Sequence, residues 1–121
     1  MKFKIEKREN FTLVILPEKL DLNVSTSLKE ECIIIHNIGA ENLIFDLSAT
    51  RYADSSGIYA MAQIQKLFSI TNGICVIIGF QEQIKKLFLL SGLDKKFKFS
   101  DNLDQAADII LDFTIEKEDS N

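Results

Sequence analysis

Two short runs, residues 43–47 and 74–78, constrain this chain more than any other feature in it. Leu43-Ile44-Phe45-Asp46-Leu47 is apolar at every position but one, and Ile74-Cys75-Val76-Ile77-Ile78 is apolar throughout. A strand with one wet face alternates apolar with polar residues. An unbroken apolar run this short reads instead as a strand covered on both faces. Between the two, from residue 55 to 70, Ile58, Met61, Ala62 and Phe68 recur at helical spacing, and Thr71-Asn72-Gly73 supplies the exit. A buried strand, a helix and a second buried strand make a parallel crossover.

The rest of the chain is read around that unit. Phe3, Ile5 and Lys7 alternate with Lys2, Lys4 and Glu6, and Arg8-Glu9-Asn10 is a turn leading into a second strand over residues 11–16. The pair reads as a hairpin ended by Pro17. Asn23 is the expected N-cap of a helix over 24–37, where Val24, Leu28, Cys32 and Ile35 share a face and Gly39 gives the stop. Ile33-Ile34-Ile35 has the composition of a strand, but the helix-favouring Ser27-Leu28-Lys29-Glu30-Glu31 precedes it. A third helix is expected over 82–90, with Ile84, Leu87 and Phe88 inward and Lys85-Lys86 outward. Ser91-Gly92-Leu93 then forms a glycine C-cap. Residues 96–99 read as a short edge strand, and Asp101 or Asn102 caps a last helix to about Phe113.

The expected architecture is therefore α/β: a single domain over residues 1–113 and a frayed polar tail over 114–121. Its mixed sheet has four to five strands, with about four helices packed mainly on one side. At 121 residues the chain supports one hydrophobic core.

Composition excludes several function classes. A net charge of −4 offers no basic excess for direct nucleic-acid binding. One His and two Cys cannot assemble a typical zinc site, and Cys32 and Cys75 lie in apolar runs as small hydrophobes. No apolar run approaches the ~18 residues of a membrane span. The charged Met1-Lys2-Phe3-Lys4-Ile5-Glu6-Lys7-Arg8 segment has no signal-peptide core, so the chain is expected in the cytoplasm. Gly39, Gly73 and Gly79 are isolated and form no phosphate loop, so no cofactor is expected.

The chemistry-bearing stretch is Ala53-Asp54-Ser55-Ser56-Gly57, where the loop after the first buried strand meets a helix start. Asp and Ser satisfy the first orphan N–H groups of a helix, so Asp54, Ser55 and Ser56 are all candidate caps. The same helix start favours an anion, which makes Ser55 a candidate phosphate acceptor and Ser56 an alternative. Asp54 shapes the loop, and Gly57 permits either close approach of another backbone or a tight turn. Tyr59 stands one turn after Ser55, and Tyr59, Gln63 and Lys66 form a polar–aromatic stripe. The same serine half-resembles a nucleophile elbow. A hydrolase would then need His36, which precedes the serine and sits at the end of the first helix.

With these residues in hand, the chain resembles the STAS domain family, in particular the bacterial anti-sigma factor antagonists. The resemblance runs from about Phe3 to Asp112 and rests on four motifs in order: Leu20-Asp21 after the hairpin, Asp54-Ser55-Ser56-Gly57, residues 84–93 ending in Ser91-Gly92-Leu93, and Phe99 followed by Ala106. Two positions depart from the family pattern: Tyr59 replaces a residue that is commonly Gly, and Glu18 stands where Gly commonly precedes Leu-Asp. The resemblance implies no catalysis. It implies a partner that is both anti-sigma factor and serine kinase, phosphorylation at Ser55, and a phosphatase that resets the switch. Asp21, Asp54 and Ser56 are the implied partner-binding residues, joined by Tyr59 and Gln63 of the helical stripe, on a monomer or weak homodimer. The alternative within the family is a non-phosphorylated docking subunit of a lipid transporter or signalling complex, in which Ser55 only caps.

Overall fold

The structure, a computed structural model, describes residues 3–119. Its main sheet has five strands: β1 (Lys4–Lys7), β2 (Thr12–Ile15), β4 (Leu43–Asp46), β6 (Cys75–Ile78) and β7 (Lys98–Phe99), in the order β1-β2-β4-β6-β7. β1 pairs antiparallel with β2, and β2, β4, β6 and β7 run parallel. The helices α1 (Leu22–Asn37), α2 (Ser55–Ile70) and α3 (Glu82–Leu90) each connect neighbouring strands of this sheet, and α4 (Leu103–Asp119) follows β7.

The apolar runs are explained by an apolar cluster on each face of the one sheet. Leu43 and Phe45 of β4 and Cys75 and Ile77 of β6 face a large cluster with Leu28, Met61, Phe68 and Ile84 of α1 to α3. The alternate residues Ile44, Val76 and Ile78 face Ala106 and Ile110 of α4. Successive strand side chains point to opposite faces, so both faces of β4 and β6 must be apolar. Three helices on one face and one on the other is the expected mixed α/β arrangement. Among the described residues, no helix is long and apolar enough to cross a membrane.

α2 and α3 begin and end where the sequence places them. The glycine stop of α3 is as expected: Gly92 has φ +70°, and the Leu93 N–H reaches back to the Phe88 carbonyl at 2.9 Å. Cys32 and Cys75 are unbridged and buried, and burial pushes the Cys32 thiol up to about 12 and the Cys75 thiol higher still.

Four expectations need correction. α1 is capped by Asp21, not Asn23: the Asp21 carboxylate accepts from the Val24 N–H at 3.3 Å and its carbonyl from the Ser25 N–H at 2.9 Å. The strand near residue 98 is only Lys98–Phe99, because residues Asp94–Lys96 form a 3₁₀ turn. Two further strands, β3 (Lys19–Leu20) and β5 (Tyr52–Ala53), form a separate parallel pair. The supposed tail is helical: α4 continues to Asp119, with Thr114 Oγ1 donating to the Ile110 carbonyl and Lys117 Nζ to the Asn72 carbonyl at 3.1 Å. Residues 120 and 121 lie outside the described residues.

Candidate functional site

β3 and β5 position the site. Leu20 pairs with Ala53 in register, so each strand ends on an aspartate that caps the following helix. Asp21 and Asp54 thus occupy matched positions, and Leu22 and Ser55 open neighbouring helices. The loop is stitched to its surroundings by main-chain bonds from Arg51 and Tyr52 to the Glu18 carbonyl and from Asp54 to the Leu20 carbonyl. Thr50, fully buried, donates its hydroxyl to the Pro17 carbonyl at 2.8 Å. Nothing in a lone threonine marks that role in the sequence.

Asp54 is the N-cap of α2, in extended backbone, and its Oδ1 accepts from the Gly57 N–H at 3.2 Å. The same oxygen accepts the Ser56 hydroxyl. The Ser56 hydroxyl, followed by main-chain N–H groups, holds the Asp54 carboxyl below its ordinary value, against a smaller opposing effect of burial. Asp54→Ala removes the cap and releases Ser56, a loss of about 0.5–2 kcal/mol at neutral pH. A carboxyl whose folded value lies below 3.8 stabilises the fold in its ionised form. That contribution is complete above the unfolded value and is lost as pH falls through the folded one. Urea melts of wild type and Asp54→Ala should therefore differ at pH 7 and draw together as the pH falls below 3.8.

The two serines are thereby distinguished. Ser56 is half-buried with its hydroxyl committed to Asp54, whereas Ser55 is exposed and its hydroxyl has no partner among the described residues. Gly57 is buried, and a Cβ there would lie 2.2 Å from the Leu20 carbonyl oxygen and 2.6 Å from Leu20 Cγ. Of its two sequence readings, the close approach holds, and the neighbour is the chain's own β3.

On the outer face of α2, Tyr59 is 64% exposed and Gln63 and Lys66 are exposed. Leu22, in the first turn of α1, is 67% exposed and was not singled out from sequence. Its signal, an apolar residue directly after a capping aspartate, is legible only when the cap is placed correctly. Asp21 is half-buried and engaged in its cap.

His36 does not reach this site. Its Nε2 lies 2.9 Å from Thr71 Oγ1 and its ring packs edge-on against Phe68 at 4.8 Å, both at the far end of α2. It is half-buried there, more enclosed than a simple surface residue. At 1.5 Å per residue, Phe68 stands about 20 Å along the helix from Ser55, which separates the only imidazole from the only candidate nucleophile of an elbow. Among the described residues no group of His, Cys, Asp and Glu is arranged to hold a metal.

The family model for the STAS domain matches residues 2–106. The chain belongs to the STAS domain family. Its fold is shared with solved structures of that family at low sequence identity. A proposed anti-sigma factor antagonist from Thermotoga maritima matches with a TM-score of 0.79 at 22% identity, over 89% of this chain and 93% of that one. The anti-sigma factor antagonist SpoIIAA in its unphosphorylated form matches with a TM-score of 0.78 at 17% identity, over 89% and 95%. The phosphorylated form of the Bacillus cell fate determinant SpoIIAA matches with a TM-score of 0.72 at 17% identity, over 89% and 98%. At these identities the likeness is one of fold, and STAS membership rests on the family match.

Proposed function

We propose that this STAS domain is an anti-sigma factor antagonist, a protein-binding regulatory module switched by phosphorylation of Ser55. Its partner is an anti-sigma factor that is also a serine kinase, and a phosphatase restores the unmodified state. The observation that carries this reading is the contrast between the two hydroxyls: Ser55 is exposed and uncommitted at the first turn of α2, while Ser56 donates to Asp54. A kinase needs a hydroxyl it can enclose, and only Ser55 offers one without breaking a cap.

The docking surface is the outer face around that serine: Leu22 and Tyr59 as apolar anchors, Gln63 beyond them, and Asp21, Asp54 and Ser56 at the rim. Aromatic anchors beside a polar rim are the usual composition of a binding hot spot. The supporting physics is local. Phosphate adds about −1.5 to −2 charge, which the free N–H groups and dipole of a helix start accept, while the Asp54 carboxylate beside it repels. The fold therefore tolerates the dianion, and an interface laid over it does not.

Incubation with the kinase partner and ATP should add one phosphate to the wild type and to Ser56→Ala, and none to Ser55→Ala. Intact-mass measurement reads the outcome. Modification of Ser55→Ala, or of Ser56 alone, would overturn the assignment.

A further inference from the structure

α1, α2 and α3 are crossovers between parallel strands, so all three end at the same edge of the sheet, where β4, β6 and β7 begin. Each ends on an aliphatic side chain that the fold leaves in the open. Ile38, the C-cap of α1, is 80% exposed, Ile70 at the end of α2 is 70% exposed, and Leu90 at the end of α3 is 84% exposed. These are the three most exposed large apolar side chains among the described residues.

Two of the three tips carry a cation one turn behind them. Lys66 precedes Ile70 and Lys86 precedes Leu90, each by four residues and hence on the same helical face, and both lysines are exposed. Leu89, beside Leu90, is exposed as well. Lys85 is turned away from this face, its Nζ lying 5.3 and 5.2 Å from the ring centres of Phe80 and Phe99. Lys95 and Lys96, exposed on the 3₁₀ turn after α3, add two cations at the same edge. Acids are nearly absent here: between Ser55 and Leu93 the chain has only Glu82, which opens α3 at the opposite end. The acids of this edge lie to either side, with Glu41 after α1 and Glu118 and Asp119 at the end of α4.

The spacing selects the occupant. Four residues of helix rise about 6 Å, so an end that meets a surface tip-first holds its ammonium group about 6 Å behind its apolar tip. An anionic bilayer is layered in that way, with acyl chains beneath phosphates and a side-chain burial depth of about 5–10 Å for a surface-bound helix. Lysine stems reach along such a boundary and keep the charge among the headgroups. An acidic protein would answer the lysines, but it would need a shaped pocket for each projecting side chain, which a fluid layer does not.

We propose that the α2–α3 part of this edge docks on an anionic membrane surface, with Ile70, Leu89 and Leu90 entering the acyl boundary and Lys66, Lys86, Lys95 and Lys96 against the headgroups. The contact is peripheral, made by side chains alone. Ser55 opens α2 about 20 Å along the helix from Ile70, so the switch faces solution and the two proposals stand or fall separately.

The test is co-sedimentation with vesicles of phosphatidylcholine containing about one third phosphatidylglycerol, beside phosphatidylcholine alone. Wild type should pellet with the anionic vesicles only, and rising salt should release it. Ile70→Ser and Leu90→Ser should each lower the partition coefficient about tenfold. Lys66→Glu combined with Lys86→Glu should lower it about tenfold or more. Leu111→Ser, on α4 across the sheet, should leave it unchanged. Circular dichroism confirms that the variants are folded. A wild type that ignores anionic vesicles, or tip variants that bind them undiminished, would overturn the proposal. Binding to polyglutamate with the vesicles left unbound would assign the face to an acidic protein and overturn it equally.

Discussion

Ser55→Glu should lower affinity for the docking partner by about a hundredfold or more while leaving the domain folded. Burying a charge without a partner costs several kcal/mol, and each ~1.4 kcal/mol is a factor of ten in affinity. The cost to the fold is much smaller. An anionic group in the first turn of a helix gains roughly 0.3–1 kcal/mol from the dipole, which the nearby Asp54 carboxylate partly offsets. The neutral isostere Ser55→Gln separates charge from bulk: it should retain most of the affinity that Ser55→Glu loses. Titration calorimetry on the two variants reads the difference. Equal losses would mean that shape, not charge, governs the contact.

Gly57→Ala should destabilise the domain by about 2 kcal/mol, which is the opposite sign to a routine helical substitution. Replacing Gly by Ala inside a helix normally gains about 1 kcal/mol through propensity. At this position the new Cβ would meet the Leu20 carbonyl oxygen at 2.2 Å. That oxygen is backbone, and it already accepts the Asp54 N–H, so it cannot swing aside as a flexible side chain would. Overpacking against fixed neighbours typically costs 1–3 kcal/mol and sometimes more, which exceeds the propensity gain. The relief available is separation of α2 from β3, and that moves Ser55 and Asp21 apart. Gly57→Ala should therefore lower the melting temperature by roughly 10 °C and weaken docking as well. A variant as stable as wild type would show that the β3–α2 contact is looser than described.

Much of this architecture is legible in the sequence because its signals are local. α2 and α3 announce themselves through periodicity and their stops, and the unbroken apolar runs of β4 and β6 require cover on both faces. What stayed hidden depends on residues distant in the chain. Two-residue strands such as β3 and β5 carry no periodicity, and their pairing joins Leu20 to Ala53 across α1 and β4. Asp21 and Asn23 are both capping residue types, and the extended conformation that β3 imposes on its exit decides between them. Residues 114–119 are polar and read as a tail, yet Lys117 anchors them to the Asn72 carbonyl, 45 residues earlier.

The candidate site divides the same way. Ser55, Asp54 and Gly57 are visible as a motif, but two adjacent hydroxyls look alike on paper. Only the cap geometry, in which Asp54 holds Ser56 and not Ser55, tells them apart. Leu22 escaped notice because its exposure follows from where α1 starts.

The most direct measurement is made on the authentic dianion: protein bearing phosphate on Ser55 alone, beside unmodified protein, with thermal melts and partner titrations run on the same samples. The account predicts superimposable melts and binding by the unmodified form only. Undiminished binding by the phosphorylated form, or loss of binding accompanied by unfolding, would contradict it.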